Sequence, residues 1–149
     1  MIEFTSKSMP HSQETAETIL VVDDTEFVLS TVVDILRRAG FQVLSAGSGP
    51  LAVKLAAATS EPIHLLLSDV DMPGMSGPDL GQLLKEDRPD LHVMLMSGGD
   101  NGNLLVLNYG WAYIEKPFVA ERLVRMVIDV LRSPDRSQPG GQEFDTRKL

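Results

Sequence analysis

Five times along 149 residues, a short apolar run is followed by a segment whose apolar residues recur at helical spacing. This alternation constrains the fold more than any other feature. Strand-helix units repeated in this way give a parallel sheet with helices on both faces. The strand candidates are residues 19–22, 41–46, 63–68, 92–97 and 111–114. Residues 26–39 place apolar side chains at 28, 32, 35, 36 and 39, one face of a helix, and Gly40 suits its C-terminal cap. Pro50 and Pro78 each open a helix, in the first turn, where a missing N–H costs little. Leu80, Leu83 and Leu84 are expected to face inward. Residues 101–109 predict a short helix, and 119–132 a last one with apolar positions 119, 123, 126, 127 and 130. Gly47-Ser48-Gly49 lacks the spacing of a nucleotide-binding fingerprint and reads as a turn. The expected fold class is α/β, a doubly wound five-stranded parallel sheet.

The ends read differently from the middle. Residues 1–16 are polar without periodicity, and 133–149 collect Ser, Pro, Gly and charge. Both are expected to be flexible tails around a domain at 17–132. With 43% hydrophobic residues, the chain can bury a real core. Thirteen Lys and Arg against 21 Asp and Glu give a net charge of -8, which argues against direct nucleic-acid binding. No apolar run approaches a membrane span, and the first residues lack the core of a signal peptide. The absence of cysteine rules out disulfide and thiol chemistry and fits a cytoplasmic protein.

In open parallel sheets, ligands sit at the carboxyl ends of the strands. There the chain places Asp23-Asp24, Asp69 with Asp71 just beyond, Ser97, and Glu115-Lys116-Pro117. Carboxylates brought close together repel unless a cation is present. Oxygen ligands suit a hard divalent ion, and few protein ligands with several waters suit Mg²⁺. A carboxylate is also a nucleophile toward phosphorus, and a metal, a lysine and a hydroxyl can meet the charge of the transition state. Asp24, Lys116 and Ser97 supply these groups. His64 and His92 stand in or beside strands and suit edge or core roles.

The stretches ILVVDD (19–24), LLLSDVDMPGMSG (65–77), VMLMSG (93–98) and YIEKPF (113–118) resemble, in order and spacing, the receiver domain of two-component response regulators. The resemblance spans roughly residues 17–132 and is chemotaxis-regulator-like. It implies a flavodoxin-like strand order, 2-1-3-4-5. It selects Asp69 as phosphoacceptor, because that residue precedes Met-Pro by three positions. It implies a metal site of Asp23, Asp24 (the direct ligand of the two), Asp69 and the Asp71 backbone carbonyl, holding Mg²⁺ or Mn²⁺. It makes Ser97 the switch hydroxyl, Lys116 the phosphate-binding lysine aimed by a cis Pro117, and Tyr113 the switch aromatic. It implies a sensor histidine kinase as phosphodonor and a downstream protein target. The chain would catalyse only its own phosphorylation and dephosphorylation, as a monomer or weak dimer.

Three features depart from the family pattern. Position 71 is acidic, position 99 is glycine, and the Gly- and Asn-rich segment from Ser97 to Lys116 is a few residues short. The last puts the family's dimer through the fourth helix, fifth strand and fifth helix in doubt. Two alternatives compete. A phosphorylation-independent pseudo-receiver would lack an acidic, acceptor or lysine residue, and none is missing. A haloacid-dehalogenase-like phosphatase would carry its Asp-x-Asp after the first strand, whereas here it follows the third.

Overall fold

The computed structural model describes residues 16–99 and 109–133. The expected tails and the expected helix at 101–109 lie outside the described residues, save for residues 16, 133 and 109. Five strands are seen: β1 (Thr18–Val22), β2 (Gln42–Ala46), β3 (Leu65–Asp69), β4 (His92–Ser97) and β5 (Ala112–Glu115). They form one parallel sheet in the order β2-β1-β3-β4-β5. The described helices are α1 (Glu26–Arg38), α2 (Gly49–Ala58), α3 (Gly77–Asp87) and α4 (Ala120–Arg132).

The central strands β1, β3 and β4 are mostly apolar because both faces are covered, while the edge strand β2 exposes Gln42 and Ser45. Successive side chains of a strand point to opposite faces. Leu20, Val22, Leu66, Val93 and Leu95 pack with Ala52 and Ala56 of α2 and with Leu80 and Leu84 of α3. Their neighbours Ile19, Val21, Leu65, Leu67, Met94 and Met96 face the other way. There they meet Val32 and Leu36 of α1 and Leu123 and Val127 of α4. Thus α1 and α4 cover one face, and α2 and α3 the other.

Local chemistry sets the helix ends. Gly40 takes φ +102° just after α1, as a C-terminal stop requires. The side chain of Ser48 caps α2 by accepting from the Leu51 N–H at 3.3 Å, and Ser76 caps α3 from Asp79 at 3.1 Å. The expected turn at 47–49 is therefore the start of α2, with Gly49 already helical. Other boundaries move by one or two residues. Ile63 is buried but lies before β3, and Trp111 lies before β5, which extends instead to Glu115. One inward assignment, Leu83, fails, and the apolar position 119 of the expected last helix is exposed. Leu83 is 38% exposed and Val119 66% exposed. Leu83 lies off the line joining Leu80 to Leu84, and Val119 is the N-cap of α4, ahead of its buried stripe.

The connection from β3 to α3 is tight. The Val70 N–H donates to the Met96 carbonyl, and the Gly77 N–H returns to the Val70 carbonyl, both at 2.9 Å. A Cβ on Gly77 would collide with the Asp69 carbonyl oxygen, which is backbone and has nowhere to go. Gly77→Ala should therefore cost about 1–3 kcal/mol of stability. Gly47→Ala, with nothing within 4 Å of the new methyl, should cost far less. Thermal unfolding of both variants checks this, and equal midpoints would show that the loop yields freely.

Candidate functional site

Because all strands are parallel, their carboxyl ends share one edge, and four polar groups are buried or gathered there. Asp23 follows β1 and is 0% exposed; Asp69 ends β3 at 8%; Ser97 ends β4 at 1%. Lys116 follows β5. Its ammonium donates to Asp23 Oδ2 and to Asp69 Oδ1, each at 3.1 Å. The other Asp23 oxygen accepts the Thr25 N–H at 2.8 Å, so the turn that starts α1 also fixes this carboxylate. Asp24 is exposed beside them. Carboxylate oxygens of Asp23, Asp24 and Asp69 all lie within 4.8 Å of one another.

Backbone bonds hold the lysine in place. Ser97 pairs with Glu115 across β4 and β5, and the Lys116 N–H donates to the Ser97 carbonyl at 2.8 Å. The Lys116–Pro117 peptide is cis. The Ser97 hydroxyl accepts the Gly99 N–H at 3.3 Å. In register Asp69 faces Met96, so Ser97 stands one residue further along the neighbouring strand.

Burial pushes the Asp69 carboxyl above its ordinary range. The hydrogen bond and charge of Lys116 oppose that rise, and the charges of Asp23 and Asp24 add to it. Burial alone would lower the Lys116 ammonium, but its bonds to Asp69 and Asp23 outweigh it and hold the group above the usual lysine value. Three carboxylates against one ammonium leave two negative charges in a half-enclosed space. All three offer only oxygen. That donor set fits a hard divalent cation of the Mg²⁺ type, with Asp23, Asp24 and Asp69 as the residues to hold it.

The other sequence candidates are placed differently. Asp71 is exposed two residues past Asp69. Tyr113 lies further back on β5, opposite Leu95, half-buried against the core shared with α2 and α3. Beside it is a group that the motifs did not reveal. Trp111 is buried, stacks on Tyr109 with ring centroids 4.7 Å apart, and seats its ring against Gly81 of α3. Among the described residues its indole N–H has no partner. A lone tryptophan opposite a helical glycine carries no spacing signal in one sequence. His64 and His92 sit at the opposite edge of the sheet, where His64 accepts the Thr18 N–H at 3.0 Å, a structural edge role.

A surplus of negative charge predicts a simple ordering of stabilities. With divalent cations chelated, Asp69→Asn should melt at or above the wild type, because it removes a desolvated charge and keeps an oxygen for Lys116. Millimolar Mg²⁺ should raise the wild type and raise Asp69→Asn much less. Calorimetry with and without chelator checks both parts. Equal Mg²⁺ responses would mean that the cation does not touch this cluster.

Residues 19–128 match the family model described as the response regulator receiver domain. The probable transcriptional regulatory protein TcrX of Mycobacterium tuberculosis is 34% identical over 118 residues, covering 77% of this chain and 50% of that protein. The crystal structure of the receiver domain from the hybrid histidine kinase CckA is 32% identical, with a TM-score of 0.67 over 77% of this chain and 99% of that one. A receiver domain protein of Methanospirillum hungatei is 28% identical, with a TM-score of 0.69, over 78% and 94% of the two chains. The chain spans about half the length, or less, of the curated relatives it matches.

Proposed function

The chain belongs to the response regulator receiver domain family, and from that premise we propose that it is a phosphoryl-accepting switch in a two-component phosphorelay, with Asp69 as acceptor. Receiver domains are phosphoacceptors that work with sensor histidine kinases, rather than enzymes turning over a substrate. One observation supports Asp69 over its neighbours: its Oδ1 lies 3.1 Å from the Lys116 ammonium while its other oxygen has no hydrogen bond among the described residues, whereas Asp23 has both oxygens held, by Lys116 and by the Thr25 N–H, and Asp24 is exposed.

An Asp69 oxygen attacks the phosphorus of a kinase phosphohistidine or a small phosphodonor. The new O–P bond forms as the donor's bond to phosphorus breaks, and that electron pair leaves with the donor. Lys116 offers its positive charge to the transferred oxygens, and Ser97 offers a hydroxyl hydrogen bond. When bound, Mg²⁺ (or Mn²⁺) offsets the carboxylate charge and the charge that develops on the phosphoryl group. Asp23, Asp24, Asp69 and the Asp71 carbonyl would hold it. Water later attacks the phosphorus, the Asp69 O–P bond breaks, and inorganic phosphate leaves with the carboxylate restored. The receiver unit is taken as residues 17–132, working in the cytoplasm and signalling to a downstream protein. Among the described residues, no helix is long and apolar enough to cross a membrane.

The two aspartates of Ser68-Asp69-Val70-Asp71 should behave unequally. An amide at 69 removes the nucleophile, whereas a change at 71 spares the backbone carbonyl. Asp69→Asn should abolish labelling by acetyl phosphate in Mg²⁺, and Asp71→Asn should still label, with an altered lifetime. Labelling that survives in Asp69→Asn and fails in Asp71→Asn would move the nucleophile to Asp71.

The switch should run from Ser97 to Tyr113. Phosphorylation draws the Ser97 hydroxyl toward the phosphoryl oxygens and frees space for Tyr113 to turn inward. Only a contact that differs between the two states can shift them. Ser97→Ala should accept phosphate yet show smaller amide shifts around Tyr113 on beryllofluoride addition. Unchanged shifts would break this link.

A further inference from the structure

Away from the acidic pocket, α1 and α4 leave a groove of about 780 Å³ between them. Ile35, Val124 and Ile128 contribute apolar surface to it, and the two α4 residues are only half-buried. Its charged lining is Asp34, Arg38, Glu121, Arg125, Asp129 and Arg132. That is three acids and three bases, a neutral patch on a chain of net charge -8. Two copies of so acidic a chain repel over most of their surface, and a neutral patch is where they can meet.

The order of charges along α4 says how. Glu121, Arg125, Asp129 and Arg132 alternate in sign. At 3.6 residues per turn they fall within an arc of about 80°, next to Val124 and Ile128. A twofold axis near residues 126–127 would set a second α4 antiparallel to the first. Every charge then meets its opposite: Glu121 faces Arg132 of the copy, and Arg125 faces Asp129 of the copy. The same axis brings Val124 onto Ile128 of the copy. A like-for-like parallel pairing would oppose each charge with itself.

We infer that the α1–α4 face is a self-complementary surface for a second copy of this chain, paired through antiparallel α4 helices. This stands apart from the phosphoryl-acceptor reading, since no residue of the acidic cluster takes part. Exposed ion pairs contribute little each, so the dimer is weak, with a Kd of about micromolar to millimolar.

Sedimentation equilibrium on the full chain across that range tests it. The wild type should dimerise. Arg125→Glu and Asp129→Arg, each placing like charges opposite one another twice over, should each weaken the dimer about tenfold or more. The double variant Arg125→Glu with Asp129→Arg exchanges the two charges and should restore it, which also separates lost pairing from lost folding. A wild type that stays monomeric throughout would overturn the inference. So would a dimer indifferent to either single change, or single losses that the double variant fails to rescue.

Discussion

One ammonium group, shared between two carboxylates from different strand ends, is what the rest of this molecule is arranged around. Lys116 reaches Asp23 after β1 and Asp69 at the end of β3, and so ties three non-consecutive parts of the chain at one edge. The arrangement is electrostatically incomplete. Burial already disfavours the charge on Asp69, and two further carboxylates crowd it. A half-buried cluster with surplus negative charge is expensive unless something of opposite sign offsets it. The side chains that form this structural tie are the same ones to which the phosphoryl-acceptor proposal assigns the chemistry.

Among the described residues, packing and backbone bonds around the cluster hold its scaffold. The central strands are sealed on both faces by apolar packing, and the loop after β3 is pinned by backbone bonds and by the close approach of Gly77 to Asp69. The proposed response falls on side chains around β5. Tyr113 and Trp111 belong to the core on the α2–α3 side, whereas the groove between α1 and α4 lies on the other. A change felt at Tyr113 and an encounter on the α1–α4 face would use opposite sides of the sheet.

Much of this was legible in the sequence. The alternation of apolar runs and helical spacing gave the layers and the strand count. The strand ends gave the four residues, Asp23, Asp24, Asp69 and Lys116, that the fold brings together. What could not be read was side-chain company. Nothing local distinguishes Asp23, with Lys116 and Thr25 at its two oxygens, from exposed Asp24 one residue on. Leu83 and Val119 fit an apolar period yet face outward, because a helix buries only the part of its stripe that another element covers. Trp111 fills a notch left by Gly81, a pairing made only by the tertiary fold.

The most direct test of a phosphoryl acceptor at Asp69 is chemical trapping. The chain would be exposed to Mg²⁺ and a small phosphodonor, reduced with borohydride to convert any aspartyl phosphate to homoserine, and mapped by peptide mass spectrometry. Homoserine at position 69 alone is the expected result. Homoserine at 23, 24 or 71, or none anywhere while phosphate is bound, would contradict it.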